Sequence, residues 1–155
     1  MDGTVITVER TIPAPPPAVF ALLADAANHS TFDGSGSVQG ARPGGGEPLR
    51  LGSQFGMSMK MGVPYSTRNT VVEYEQDRRI AWKTSVGLPL GRELGGRIWR
   101  YELEPAGDGT LVRESWDLSQ EVLRPVLARS HFPGKTRQDM ARTLERIEQH
   151  FASGT

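Results

Sequence analysis

A chain of 155 residues with 18 basic and 18 acidic side chains, net charge zero, has no basic run able to neutralise a phosphate backbone, which argues against nucleic acid as a partner. The absence of cysteine removes disulfides, zinc–thiolate sites and thiol nucleophiles together. No apolar run approaches the roughly 18–20 residues of a membrane span, and the Met1–Thr4 start lacks the basic and apolar regions of a secretory signal; a cytoplasmic protein without integral membrane association is expected.

The length fits one domain over 1–155, and 18 glycines with 11 prolines predict many turns, hence strands more than a helical bundle. Val5–Ile12 is β-branched, partly alternating and ends at Pro13, which predicts a first strand. Pro15, Pro16 and Pro17 then open a helix, because proline is tolerated in the first turn, where amide donors lack partners anyway. Val19, Phe20 and Leu23 share one face of that helix, and a second short helix is expected around Ala26–Ser30. The stretch from Asp33 to Gly46 is rich in glycine and reads as loop, with a short strand around Val38.

From Gln54 the period is two: Phe55, Met57, Met59 and Met61 alternate with small or polar residues. Tyr65–Glu75 is the next strand, and its adjacent Val71-Val72 pair suggests a bulge. Ile80, Trp82 and Thr84 share a face of the strand after that, and Trp99, Tyr101 and Leu103 share a face of the following one. Gly107-Asp108-Gly109 is a hairpin signal, beyond which Val112, Glu114, Trp116 and Leu118 fall on one face. Antiparallel strands with one apolar face need a cover. Met140, Leu144, Ile147 and Phe151, at i, i+4, i+7 and i+11, supply it as one stripe of a long terminal helix. Between them, Gln120–Gly134 is a candidate lid with a short helix near Val122–Arg129.

The proline-led helix after Ile12-Pro13, Val71-Val72-Glu73-Tyr74-Glu75 leading to Arg79-Ile80-Ala81-Trp82, Trp99-Arg100-Tyr101-Glu102-Leu103-Glu104-Pro105, Asp108–Glu114 and the closing helix occur in an order that resembles the START-like superfamily. This is the SRPBCC group of polyketide cyclase/dehydrases, plant pathogenesis-related allergens and lipid-transfer domains. Asn28–Gly36 is similar to a polyketide-cyclase-like subgroup of high-GC bacteria, a source with which 15 arginines against 3 lysines agree. The resemblance implies an α+β helix-grip fold, a curved antiparallel sheet wrapped around the terminal helix with a cavity between them. It also implies lipid, hormone or polyketide binding, with cyclisation or hydrolysis in some members.

Within that frame Met57, Met59, Asn69, Trp82, Trp99, Tyr101, Glu114, Trp116, Met140 and Leu144 are the candidate ligand-binding residues. Thioether chains adapt to varied apolar ligands, and indole and phenol groups can orient one; each of these side chains could equally be ordinary core. Glu114 is the sharpest of the set, because alternation sends a carboxylate where apolar groups belong, and such a group must be paired, hydrated or protonated. Either it pairs with an arginine such as Arg68 or Arg100, or it serves a pocket as acid/base with Tyr101 polarising a carbonyl. His29, Ser30 and Asp33 lie too close in sequence to read as a triad. His131 and His150 lack partners at metal-ligand spacing, so neither a metal nor a cofactor is expected. The leading reading is binding or transport of a small hydrophobic molecule, by a monomer or weak homodimer; the alternative is a polyketide cyclase/dehydratase-type enzyme using the cavity carboxylate.

Overall fold

The computed structural model describes residues 5–25, 38–41, 49–61, 63–87, 93–121, 125 and 132–153, with the backbone alone for 38–41, 55–61, 63–66, 86–87, 93–94, 132–133 and 153. Among them, seven strands form one antiparallel sheet: β1 (Val5–Ile12), β2 (Val38–Ala41), β3 (Gln54–Met61), β4 (Val63–Glu75), β5 (Arg79–Gly87), β6 (Glu93–Ala106) and β7 (Gly109–Asp117). Their spatial order is β1-β7-β6-β5-β4-β3-β2, so β2 to β7 form a meander and β1 closes against the last strand. Helix α1 (Pro16–Leu23) follows β1, and helix α2 (Phe132–Ser153) ends the chain. This is the α+β helix-grip fold: a curved sheet, a short N-terminal helix and a long C-terminal one. The expected helix near Ala26–Ser30, the glycine tract and most of the candidate lid lie outside the described residues.

Helix α1 begins as its prolines predict. Pro15 caps it in extended conformation (φ −69°, ψ 156°), Pro16 and Pro17 occupy the first turn, and Val19, Phe20, Leu22 and Leu23 are buried. The β6–β7 turn places Gly107 at φ 59°, a left-handed conformation that glycine adopts at little cost. At Gly109 the chain passes so close to the carbonyl of Ile12 that a Cβ would collide with it. Next to it, Thr110 Oγ1 donates to the Ala14 carbonyl at 2.6 Å, tying the end of β1 to the start of β7.

Two irregularities set which side chains face inward. The register shifts between Val71 and Glu73, so Val71 opposes Trp82 while Glu73 opposes Ala81. Val71 is buried and the intervening Val72 is 38% exposed, which is the bulge the valine pair suggested. A second shift falls between Thr84 and Ser85, where Gly95 and Gly96 have φ of 137° and 117°.

Helix α2 packs over β1 and β7. Leu144 and Ile147 join the main core with Ile12, Phe20, Ile80, Trp82 and Val112, while Met140 belongs to a smaller cluster with Ile6, Trp116 and Leu118. Burial of a Leu or Ile side chain stabilises by about 1.5–3 kcal/mol, which makes the stripe the helix's principal attachment. An ion pair from Arg10 on β1 to Glu148, at 2.7 Å, adds a surface tie.

Candidate functional site

Alternation and register bring the predicted residues onto one face. Glu114 lies opposite Tyr101 of β6 and Val8 of β1; Trp116 lies opposite Trp99, Trp99 opposite Trp82, and Thr84 opposite Asn69. Trp82 and Tyr101 have ring centroids 5.7 Å apart, and Trp99 and Trp116 6.0 Å apart. Met140 and Leu144 of α2 are buried in the two clusters that this face forms. Met57 and Met59 take register positions opposite Thr67 and Tyr65; their side chains lie outside what is described.

Glu114 is buried, 2% exposed. Tyr101 Oη donates to its Oε2 at 3.1 Å, and Oε1 is buried as well. A hydrogen bond of this kind offsets part of the cost of taking a carboxyl group out of water. Arg100, expected as a possible partner, is not one. Its Nη2 reaches Glu73 Oε2 at 2.6 Å, its Nε contacts Glu73 Oε1 at 3.0 Å, and its Nη1 lies 3.4 Å from Asp117 Oδ2. Register gives the physical reason, since Arg100 opposes Ala81 and Ser115, on the face away from Glu114. Hydrogen bonding to Glu73 outweighs desolvation and holds the Arg100 guanidinium above its ordinary pKa. Arg68 is exposed.

Two features frame the carboxylate. Val8 and Trp99 are only partly buried and pack against both clusters, so Glu114 sits along the seam between them. Trp116 is 2% exposed, and its Nε1–H finds no acceptor among the described residues. A buried indole donor without a partner is uncommon and costly.

Sequence reasoning missed the partners of Asn69. Thr84 Oγ1 donates to Asn69 Oδ1 at 2.7 Å, and Asn69 Nδ2 donates to Thr67 Oγ1 at 3.2 Å; all three residues are buried. Strand alternation had already put Thr84 with Trp82, and the same period connects Thr67 to Asn69, so the signal was present. Also unforeseen is the ion pair between Arg97 Nε and Glu121 Oε1, 3.1 Å long, with the Glu121 side chain fully buried. Beside it, a Cβ on Gly96 would run into the carbonyl of Gln120.

No group of three or more His, Cys, Asp or Glu side chains suited to a metal ion occurs among the described residues, and His150 is exposed. No described helix is long and apolar enough to cross a membrane. His29, Ser30, Asp33 and His131 lie outside the described residues.

A family model described as polyketide cyclase/dehydrase and lipid transport matches residues 4–152. The chain belongs to this family. It is 33% identical over 110 residues to the uncharacterised protein Rv0088 of Mycobacterium tuberculosis, a match covering 68% of this chain and 44% of that protein, so the curated relative is considerably longer than the matched stretch. The crystal structure of protein Ms6760 from Mycobacterium smegmatis shares the fold with a TM-score of 0.75 at 11% identity, over 99% of this chain and 94% of that one. DynU16, from the dynemicin biosynthetic locus, does so with a TM-score of 0.67 at 14% identity, over 98% of this chain and 48% of its own. At such identities the likeness is one of fold, and a fold hosts many functions.

Proposed function

We propose that this member of the polyketide cyclase/dehydrase and lipid transport family binds a small, largely apolar molecule on the concave face of its sheet. The reading rests on one observation: the hydrogen-bonded polar pair of Tyr101 and Glu114 is buried along the seam between two apolar clusters. Trp99 supports it, being partly accessible while its neighbours Trp82 and Trp116 are 7% and 2% exposed. An apolar enclosure with a few convergent polar groups is the usual form of a small-molecule site. The ligand's apolar body would lie against the indoles, with Tyr101 and Glu114 orienting a polar group.

All three tryptophans of the chain lie on this face, so intrinsic fluorescence reports directly on it. Titration with apolar fluorophores should quench tryptophan emission saturably and be reversed by competitors. Native mass spectrometry of the protein as purified should reveal a co-retained small molecule. Absence of displaceable binding would sink the reading.

The hydrogen bond from Tyr101 to Glu114 favours a second reading, an enzyme of the cyclase or dehydratase kind. Glu114 would move a proton, Tyr101 would polarise a carbonyl, and the enclosure would hold a folded conformer. Glu114→Gln would then abolish turnover and spare binding; surviving activity would exclude the assignment.

A further inference from the structure

Among the described residues, two groups of buried polar side chains on the concave face are each joined internally by hydrogen bonds, with aromatic surface between the groups. Near the seam are Tyr101 and Glu114, joined by a hydrogen bond. Four residues further along β5, counted from Ile80 opposite Tyr101, Thr84 meets Asn69, which in turn holds Thr67. No register shift interrupts this stretch of the β5–β6 pair, so the two polar rows are about 13 Å apart along the strands. Between them runs the row of Trp82 and Trp99, of which Trp99 stays partly accessible.

We infer that Thr67, Asn69 and Thr84 form a second subsite, which takes the far end of an elongated, flat ligand whose near end meets Tyr101 and Glu114. The inference rests on the cavity reading above and adds the ligand's chemistry: a hydroxyl at each end of an aromatic body. At the near end Tyr101 Oη spends its proton on Glu114 and keeps acceptor capacity, so a group that gives a hydrogen bond suits it. At the far end, Thr84 Oγ1 spends its proton on Asn69 and keeps acceptor capacity, whereas Thr67 Oγ1 accepts from Asn69 and keeps a proton to give. A hydroxyl, donor and acceptor at once, matches that pair. An amide locked by two threonines also loses little side-chain freedom on binding, which favours it as a recognition element.

Three probes of one shape test this: trans-stilbene with a para hydroxyl on both rings, on one ring, or on neither. Tryptophan quenching by each is measured with the wild-type protein and with Asn69→Leu, and Thr84→Val serves if the first variant does not fold. Wild type should bind the doubly hydroxylated probe about five- to ten-fold tighter than the singly hydroxylated one, the effect of one net hydrogen bond. Each variant should erase that step while leaving affinity for the other two probes unchanged. Equal affinity for all three probes overturns the second subsite and leaves the cavity reading standing. A variant that weakens all three alike gives the trio a structural role only, and binding by none of the three probes overturns both readings.

Discussion

Tyr101 and Glu114 face each other directly across β6 and β7, and the phenol hydroxyl donates to the carboxylate at 3.1 Å, with both residues buried. Removing one partner of such a pair costs more than the bond contributes net, since the desolvated group left behind loses a donor. Tyr101→Phe should therefore destabilise the protein by about 1–3 kcal/mol. In a double-mutant cycle with Glu114→Leu the two losses should not add, with coupling of about 1 kcal/mol or more. Urea denaturation of the four proteins measures this, and strict additivity would refute the coupling.

On the opposite face, Arg100 grips Glu73 through two parallel bonds and also reaches Asp117. A lysine keeps the charge but cannot form the fork. Arg100→Lys should cost about 1 kcal/mol, while binding on the concave face stays as in wild type. An affinity change exceeding a few-fold would mean that the two faces are not independent.

How far the sequence carried these conclusions depends on which interactions are periodic. The inward direction of Glu114, Trp116 and Trp82 follows from alternation along a single strand, and it holds. The stripe of Met140, Leu144 and Ile147 follows from helical spacing in the same way. Partners are another matter. That Arg100 faces away from Glu114 follows from alternation along β6, where Trp99, Tyr101 and Leu103 share the inward face, but that it meets Glu73 depends on the register of three strands and on the bulge after Val71, none of which a single strand encodes. The pairing of Thr84 with Asn69 likewise needs the β4–β5 register. Gly96 and Glu121 were invisible because a close backbone approach between distant segments leaves no local pattern.

Helix α2 is held by burial more than by charge. Leu144 is 1% exposed within the main core, whereas Arg10 and Glu148 remain 41% and 34% exposed at the side chain. Leu144→Ala should cost about 2–5 kcal/mol. Arg10→Ala should cost less than about 1 kcal/mol, because exposed ion pairs contribute little. Thermal melts of the two variants should rank them in that order, and the reverse ranking would contradict the account.

The bulge at Val72 supplies the sharpest test of the architecture. Val72 itself is 38% exposed, so Val72→Ala should change stability by no more than about 0.5 kcal/mol. Deleting the residue removes the bulge and nothing else from the pattern. Val71 opposes Trp82 and Glu73 opposes Ala81, consecutive positions on β5, so without Val72 the strand alternates regularly, with Val71 in, Glu73 out and Tyr74 in. Glu73 then keeps Arg100, and Tyr74 keeps its edge-on contact with Phe20 of α1 at 5.5 Å. The deletion variant should therefore still unfold cooperatively and retain its aromatic near-UV circular dichroism. A deletion variant without a cooperative transition would mean that β4 pairs in another register, and the assignment of Asn69 to the concave face would fall with it.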